Sequence, residues 1–489
     1  MKLCLVNHTF RYELEKLIRI FLPFEKIEFS DNEEISDCCA VTKLENNAAK
    51  AELYLNGKEY IKYRSLDNHE TDFEKECELK LATALYDCFV EATGYFPQWG
   101  ILTGVRPAKL FSRLCGALGE EKTADYFKNI LKVSEKKISL CKEAISGENA
   151  ITSLSKPESF SLYISIPFCP TRCSYCSFVS HSVAQAKKLI PTYVEKLCEE
   201  IKLTSEIAKD NNLKLETVYI GGGTPTAIEA DELKIIMQTV AENFDLKNIR
   251  EYTVEAGRPD TVTAEKLQVI KDFGATRISI NPQTMNDDVL KEIGRCHTAK
   301  DTKEAFLLAR ALGFNNINMD LIAGLPTDTE ESFAETLQQV LMLDPESVTV
   351  HSLSIKRSSD MTRNGDLPEK QMGETASYMV DLAREKLSEA GILPYYMYRQ
   401  SKTVGNLENV GYSKIGYECL YNVYIMDETH TILACGASAV TKLREPNGDY
   451  IERIFNFKYP YEYIERFDEL ILRKDGVTEF YDKYSWRDK

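Results

Sequence analysis

Three cysteines stand close together in a segment that could bind a metal centre. Cys169, Cys173 and Cys176 have the spacing C-x3-C-x2-C and follow an apolar, strand-like run, Leu162 to Phe168. Three thiolates leave a structural zinc ion one ligand short of four, whereas cysteine thiolates are the usual ligands of iron–sulfur clusters. The spacing therefore predicts a four-iron cluster held at three irons, with the fourth iron open to a reactant.

The residues alone leave two other interpretations of these cysteines open. Free cysteine is common in protein cores, so the three could simply be buried. His181, five residues after Cys176, could also complete a zinc site of spacing C-x3-C-x2-C-x4-H. Clustering in one short loop after a strand favours the iron–sulfur cluster over both.

Glycine-rich or polar segments follow the later strand-like runs. Gly221-Gly-Gly-Thr-Pro225 would let a ligand approach bare backbone, and it lacks the lysine of a phosphate-binding loop. The polar residues that end the next runs are Glu255 with Arg258, Gln283 with Arg295 after it, Asp320, and His351. Because strand ends build the active site of a βα barrel, we expect these side chains on one rim with the cysteines.

The elements from Ser161 onward predict the scaffold that positions these residues. Six strand-like segments alternate with amphipathic helices, and their near-continuous apolar character indicates a parallel sheet covered by helices. The predicted strands are Leu162–Phe168, Thr217–Ile220, Tyr252–Glu255, Arg277–Ile280, Asn316–Ile322 and Ser347–Leu353. Six units rather than eight predict an α/β fold with an incomplete, open (βα)6 barrel.

The chain is predicted to have three parts. They are an N-terminal α+β domain at 1–150, the partial barrel at 160–390 and a C-terminal mixed β/α extension at 391–489. A hairpin turn at Asn56-Gly57 and a helix over Asp72–Ala92 are expected in the first part. We expect linkers at Gly147–Ala150 and Ser153–Ser159, and a charged helical surface tail over 460–489.

Charge and cysteine usage restrict the class of protein. The 489 residues include 76 acidic and 60 basic side chains, and the net charge of −16 argues against a nucleic-acid-binding surface. The 14 cysteines form no disulfide framework. The N-terminus lacks a signal-peptide pattern, and no apolar run reaches the ~18 residues of a membrane helix. These features predict a protein of the reducing cytoplasm without a membrane span.

The cysteine motif followed by Gly-Gly-Gly-Thr-Pro resembles the signature of radical S-adenosylmethionine (SAM) enzymes. Five further segments are similar to the oxygen-independent coproporphyrinogen III oxidases: V-E-A-G-R-P, I-N-P-Q, G-R-C-H, N-M-D-L-I-A-G-L-P and G-A-S-A-V. The segment G-I-L-T-G-V-R-P, which ends at Pro107, resembles the HemZ-like branch of that family. The resemblance covers about residues 160–445 well, and the first 150 residues resemble that branch alone.

This resemblance implies a [4Fe-4S] cluster and one SAM, or two. The residues that it assigns to these cofactors are Cys169, Cys173 and Cys176 for the cluster; Tyr163, Tyr175, Glu255, Gly222, Gly223 and Thr224 for the SAM on the open iron; Gln283, Arg295 and Asp320 for a second SAM; and Val350 and Val440 as apolar walls.

The resemblance also implies an activity and partners. An electron from a low-potential donor such as flavodoxin or ferredoxin would cleave SAM, and the resulting radical would take a hydrogen atom from a propionate of coproporphyrinogen III. Loss of carbon dioxide would then give the vinyl group of protoporphyrinogen IX. Arg172, Lys356 and Arg357 are candidate partners for the tetrapyrrole carboxylates.

Two departures from the family pattern leave alternatives. Phe178 stands where the oxidases carry a fourth cysteine, which the related haem chaperones also lack. Those chaperones carry H-N-x-x-Y-W where this chain has Leu420-Tyr-Asn-Val-Tyr424. One alternative is a haem-binding chaperone with His351 or His430 as axial ligand. The other is an anaerobic haem-modifying radical SAM methyltransferase.

Overall fold

The computed structural model describes residues 1–23, 25–45, 47–67, 72–176, 178, 180–354, 370–400 and 402–484. Lys356 and Arg357, named above as candidate partners of carboxylates, lie outside these ranges. The chain forms two compact units. Unit 1 comprises Met1–Lys142, Met372–Glu374 and Tyr398–Glu408, and unit 2 comprises Glu143–Gln371, Thr375–Met397 and Asn409–Lys489. Unit 1 thus includes short segments from late in the chain, and the domain boundaries near residues 150 and 390 stay a prediction.

Unit 1 contains a five-stranded sheet in the order β2–β1–β3–β4–β5. Its strands are β1 (Lys2–Val6), β2 (Glu28–Ser30), β3 (Cys39–Glu45), β4 (Ala48–Leu55) and β5 (Lys58–Ser65). β1 runs parallel to β2 and β3, and the other pairs are antiparallel. The predicted Asn56-Gly57 turn joins β4 to β5, with positive φ at both residues. The helices Arg11–Phe21 and Phe73–Thr93 bury an apolar face in the core of this unit.

The segment around Trp99 is a packed part of unit 1. The Trp99 ring is 1% exposed, and its Nε1 donates to the Glu408 carboxylate at 2.7 Å. Lys137 Nζ donates to the same carboxylate at 2.6 Å, and the Arg399 guanidinium lies 5.3 Å from the Trp99 ring centroid. The further helical segments here are Pro107–Leu118, Glu120–Asp125, the π-helical turn Tyr126–Ile130 and Glu135–Thr152, which continues into unit 2.

Unit 2 is built on a parallel sheet. Its first strands are β6 (Ser159–Ile166), the short parallel pair β7 (Phe168–Cys169) and β8 (His181–Ser182), β9 (Lys214–Gly222), β10 (Glu251–Gly257), β11 (Arg277–Ile280), β12 (Ile317–Ala323) and β13 (Ser347–Ser352). Neighbouring strands in the order β13–β12–β11–β10–β9–β6 are parallel. Six strands at the expected places confirm the predicted α/β architecture with a (βα)6 repeat.

Helices cover the outer surface of this sheet. They are Val183–Ala186, Ile190–Asp210, Ala230–Asn243, Ala264–Asp272, Asp287–Glu292, Ala299–Ala311, Glu330–Leu343 and Lys370–Glu389. Each long helix buries one apolar stripe, as Leu197, Ile236 and Leu337 show at 0–1% exposure. The inner surface is left to the polar side chains described below.

The C-terminal part of the chain adds strands at both edges of the same sheet. These strands are β14 (Leu393–Arg399), β15 (Glu408–Ser413), β16 (Thr431–Cys435), β17 (Val440–Arg444) and β18 (Ile451–Phe455). β15 pairs antiparallel with β13, and β14 follows it at that edge. At the other edge β16 pairs parallel with β6, and β17 and β18 complete a sheet of eleven strands.

Two expectations about connecting segments are wrong. Gly147–Ala150 is not a linker, because the helix Glu135–Thr152 runs through it. The residues after 460 are not a surface tail: they form the helices Pro460–Glu465 and Phe467–Lys483, and the second buries Leu470, Lys474, Val477 and Phe480. In the part of the chain described, no helix is long and apolar enough to span a membrane.

Candidate active site

The three cysteines lie in one turn directly after β6. Cys169 ends the short strand β7, and the Cys176 N–H donates to the Cys173 carbonyl at 3.1 Å. The Ser174 N–H donates to the Ile293 carbonyl at 3.1 Å, which ties the turn to the segment that follows β11. Cys173 is 7% exposed and the other two are half-buried. Arg172 and Phe178 are exposed on the same loop.

The thiols are close enough to influence each other. Burial raises the pKa of Cys169 and raises the pKa of Cys176 to about 11, and the neighbouring Cys173 sulfur adds to both effects. Thr224 Oγ1 donates to Cys169 Sγ at 3.5 Å. Without a bound cation these two thiols therefore stay protonated at neutral pH, whereas metal binding would deprotonate them.

The glycine loop after β9 packs directly against the cysteine loop. The Gly223 N–H donates to the Ile166 carbonyl and the Thr224 N–H to the Phe168 carbonyl, both at 2.8 Å. A Cβ on Gly223 would lie 2.6 Å from the Phe168 oxygen. Gly222 has φ +108°, and a Cβ there would lie 2.8 Å from Ser165 Oγ. These two glycines are therefore required for the close approach of the two loops.

Glu255 projects from β10 beside a stack of tyrosines. Tyr163 and Tyr219 are in register on β6 and β9, with ring centroids 6.2 Å apart. Tyr421 stacks on both, at 5.9 Å from Tyr163 and 4.4 Å from Tyr219. The Tyr219 hydroxyl donates to the Glu255 carboxylate. Burial raises the pKa of Glu255 to about 7, with a further rise from the Asp320 carboxylate.

Asp320 on β12 has partners on both carboxylate oxygens. Asn318 Nδ2 donates to Oδ1 at 2.7 Å, and His351 Nε2 on β13 lies 3.8 Å from Oδ2. Burial works to raise the pKa of Asp320, but the nearby His351 imidazole and the hydrogen bond from Asn318 outweigh it and hold the pKa below its usual value. The Gln283 N–H donates to the Asp320 carbonyl at 2.9 Å, from a backbone with φ +70°.

The two apolar residues named above lie on β13 and β17, and their part in the site stays a prediction. Val350 is adjacent to His351 on β13, and successive side chains of a strand point to opposite faces. It therefore faces away from Asp320, and its role as an apolar wall of the site stays a prediction. Val440 begins β17 and pairs with Phe455.

Arg295 brings unsatisfied donors to the cysteine loop. Its Nη2 donates to the Tyr175 hydroxyl at 3.0 Å. Its Nε and Nη1 are buried and have no hydrogen-bond partner among the described residues. Buried polar groups are normally satisfied, so these two donors indicate a place for an acceptor with negative charge.

The sequence placed Arg258 on this rim without a specific role and gave none to Asp260, Tyr219 or Tyr421, and all four take part in this region. Arg258 is 3% exposed and pairs with Asp260 through two hydrogen bonds. The signal for these two residues in the sequence was a pair of opposite charges, Arg258 and Asp260, directly after a strand. Register with Tyr163 on the neighbouring strand could have placed Tyr219, but Tyr421 reaches the stack from a distant helix, Leu420–Asp427.

The donor set fits the cofactors that the sequence implied. Three thiols in one turn suit three irons of a cluster, and the free donors of Arg295 suit an anionic group beside it. The described residues contain no group of three His, Cys, Asp or Glu side chains arranged around a single metal ion.

Comparisons with known proteins agree with this geometry. The model of the radical SAM superfamily matches residues 163–340. The oxygen-independent coproporphyrinogen-III oxidase-like protein HemZ of Bacillus subtilis is 40% identical over 86% of this chain and 85% of its own length. Heme chaperone HemW of the same organism is 33% identical over 66% of this chain and 86% of its own length.

A solved structure shows the same fold. Coproporphyrinogen III oxidase (HemN) from Escherichia coli aligns over 65% of this chain and 71% of its own, with a TM-score of 0.51 and 23% identity. Radical SAM proteins use a [4Fe-4S] cluster and SAM, which resolves the choice between zinc and a cluster. The chain belongs to the radical SAM superfamily, among the proteins similar to oxygen-independent coproporphyrinogen III oxidases.

Proposed function

We propose that this protein is a radical SAM enzyme acting on a tetrapyrrole, and that it converts coproporphyrinogen III to protoporphyrinogen IX. The observation that supports the proposal is the set of groups that follow or end successive parallel strands: the cysteine loop after β6, the Glu255 carboxylate on β10, and, beyond β11, Arg295 with its free donors beside Tyr175. The names of the Bacillus subtilis relative and of the solved Escherichia coli structure support the substrate class.

Each side chain of the proposed site has a distinct task. The cluster is held by Cys169, Cys173 and Cys176; SAM by Tyr163, Tyr175, Gly222, Gly223, Thr224 and Glu255; and a second SAM, if one binds, by Gln283, Arg295 and Asp320. Bound cluster and SAM supply one-electron chemistry that removes hydrogen from an unactivated carbon. Each propionate would lose one hydrogen atom, one electron and carbon dioxide. The hydrogen atom would end in 5′-deoxyadenosine, and the electron would replace the one that cleaves SAM to methionine, so that no net electron is needed for each vinyl group.

The protein's own contribution is to orient SAM and the substrate and to exclude water from them. Tyr219 fixes the Glu255 carboxylate, which can accept from ribose hydroxyls or face a cationic centre. The stack of Tyr163, Tyr219 and Tyr421 fills the interior beside it. Tyr175 holds the Arg295 side chain in place, so that its Nε and Nη1 are available to an anionic group.

The test is product analysis under anaerobic conditions. Reconstituted, reduced protein is given SAM and coproporphyrinogen III, and products are measured by mass spectrometry. We expect vinyl products and 5′-deoxyadenosine in step, and loss of both in Cys173→Ala. Cys115→Ala, which removes a half-buried cysteine of the helix Pro107–Leu118, is the matched control and should keep both. Products that gain mass would instead indicate methyl transfer.

A haem carrier is the second candidate, because Phe178 and the matches to heme chaperones favour it. His430 is poorly suited as an axial ligand. It is 4% exposed, and its Nδ1 and Nε2 lie 2.7 Å from Ser155 Oγ and 2.8 Å from Ser161 Oγ. Burial lowers its pKa to about 3, so it stays neutral inside this pair of hydroxyls.

A haem titration separates the two candidates. A carrier would give a stoichiometric complex whose Soret band changes in His351→Ala. We expect no such complex, and no effect of His430→Ala on the haem spectrum. A tight complex with the wild type, together with absent decarboxylation, would replace the enzyme proposal by the carrier.

A further inference from the structure

Arg258 connects the end of β10 to the cysteine loop. On one side its Nε and Nη2 donate to Asp260 Oδ1 at 3.0 Å and Oδ2 at 2.8 Å. On the other side its Nη1 donates to the Thr171 carbonyl at 3.1 Å and to Thr171 Oγ1 at 2.9 Å. The same nitrogen lies 4.0 Å from Cys173 Sγ.

The orientation of this guanidinium is fixed from behind. Asp260 lies in the 3-10 turn Pro259–Thr261, where the Thr261 N–H and hydroxyl both donate to the Arg258 carbonyl, at 3.0 and 2.8 Å. The bidentate pairing with a carboxylate sets the plane of the guanidinium as well as its position. His297 is buried against the same carboxylate, with Nδ1 3.8 Å from Asp260 Oδ1. Arg258 therefore presents Nη1 to the loop in one defined direction.

The partner of that nitrogen is part of the cysteine loop itself. Thr171 lies between Cys169 and Cys173, and its Oγ1 also donates to the Gly294 carbonyl at 3.4 Å. Arg258 thus supports the loop between Cys169 and Cys173. Because Arg258 is 3% exposed, little solvent screens its charge from the Cys173 sulfur, and the Asp260 carboxylate on the other side of the guanidinium offsets part of that charge.

We propose that Arg258 is a positioning residue for the iron–sulfur cluster. Asp260 holds the Arg258 guanidinium, which fixes the loop at Thr171 and places a positive charge beside Cys173. This inference rests on the proposed role of Cys173 as a cluster ligand. Reduction adds negative charge to a cluster, and charge and hydrogen bonds at the sulfurs set its potential. The buried cation therefore favours the reduced cluster, the form that the proposed reaction requires.

The experiment separates the positive charge at this position from the planar, two-pronged donor geometry of the guanidinium (the fork). Arg258→Gln removes the charge, whereas Arg258→Lys keeps the charge without the fork. Arg310→Gln is the matched control, since it removes a half-buried arginine that pairs with Glu346 at the opposite, amino-terminal ends of the strands. For each protein we would measure iron and sulfide content, the midpoint potential by electron paramagnetic resonance without SAM, and the urea midpoint of the apoprotein.

We expect the reduced-to-oxidised ratio of the cluster at a fixed solution potential to fall about tenfold in Arg258→Gln. It should fall less in Arg258→Lys and stay unchanged in Arg310→Gln. A wild-type potential with full iron content in Arg258→Gln would overturn the proposal.

The lysine variant decides the case in which Arg258→Gln holds no cluster. If Arg258→Lys holds a cluster and both apoproteins unfold like the wild type, the positive charge beside Cys173 is what the cluster requires, and the proposal stands. If both variants lose the cluster and unfold at lower urea, Arg258 has only a general structural role and the proposal fails. None of these measurements uses the tetrapyrrole. The proposal about Arg258 can therefore fail while the proposed decarboxylation holds, and the reverse. A cluster retained in Cys173→Ala would remove the basis of both.

Discussion

At the scale of single residues, Glu255 shows how its surroundings set a group's chemistry. Burial raises the pKa of this carboxyl to about 7, although the Tyr219 hydroxyl stabilises its charged form. The carboxyl therefore takes up a proton close to neutral pH before a ligand arrives. A ligand that needs the charged form must displace that proton.

We predict that SAM binding depends on pH through this group. With a pKa near 7, binding to the carboxylate form should weaken by up to about tenfold per pH unit below 7 and level off above it. Equilibrium dialysis of SAM against cluster-loaded protein at pH 6, 7 and 8 measures this directly. Glu255→Gln should bind SAM more weakly, and its affinity for SAM should no longer depend on pH in this range. An unchanged profile in that variant would show that another group titrates.

Some residue roles could be predicted from the sequence and others could not. The cysteine spacing specified a chemistry, because three thiols in one loop have few other uses. His430 was a candidate axial ligand only while its surroundings were unknown, and Ser155 and Ser161 from distant positions occupy both its nitrogens. Arg258 was visible in its motif, but its contact with Thr171 depends on two loops meeting.

At the scale of elements, the last helix is attached through a buried ion pair. Lys474 Nζ lies 2.9 Å from Glu200 Oε1 and donates to the Ala434 carbonyl at 2.6 Å, with both side chains at most 2% exposed. Glu200 also accepts from the Gly436 N–H and the Tyr463 hydroxyl, each at 2.7 Å. The helix Ile190–Asp210, strand β16 and the C-terminal helices thus share one carboxylate.

Removing one member of this pair should be costly. We predict that Lys474→Met destabilises unit 2 by about 3–5 kcal/mol, because Glu200 is left as an uncompensated buried charge. Urea unfolding monitored by circular dichroism measures the change. Lys483→Met, at an exposed position of the same helix, should change stability by less than about 0.5 kcal/mol. Equal losses in the two variants would contradict the role of the pair.

The errors in element prediction share a physical cause. Gly147 suggested a linker, yet a Cβ there would lie 2.6 Å from the Tyr395 Cα, so this glycine serves helix packing within unit 2. The charged residues after 460 suggested a tail, but Leu470, Val477 and Phe480 form a buried stripe among them. Apolar strand runs are local signals, whereas both of these features depend on contacts with distant segments.

At the scale of the whole molecule, the two units have separate cores. The parallel strands of unit 2 could be predicted in order, but the pairing of β16 with β6 joins residues about 270 positions apart, and no local pattern specifies it. In unit 1 the late segment Tyr398–Glu408 brings Glu408 to Trp99 and Lys137. Of the chain's two tryptophans, Trp99 is the one that belongs to unit 1, so a change in its fluorescence reports on this unit.

We predict that Lys137→Met lowers the stability of unit 1 by about 3–5 kcal/mol, since Glu408 would lose its cation in a buried place. The expected result is a red shift of Trp99 fluorescence at lower urea than in the wild type. Lys128→Met removes an exposed pair with Glu135 and should leave the transition in place. A wild-type midpoint in Lys137→Met would contradict the prediction.

The position of β6 has a consequence for the order in which the protein can mature. This strand leads into the cysteine turn and lies between β9, which begins at Lys214, and β16, which ends at Cys435. While the polypeptide is being synthesised, one side of β6 stays an open edge until almost nine-tenths of the chain has left the ribosome. Open edges invite pairing with other chains. Iron–sulfur assembly factors would therefore find the cysteine loop on a fully paired β6 only after translation is nearly complete.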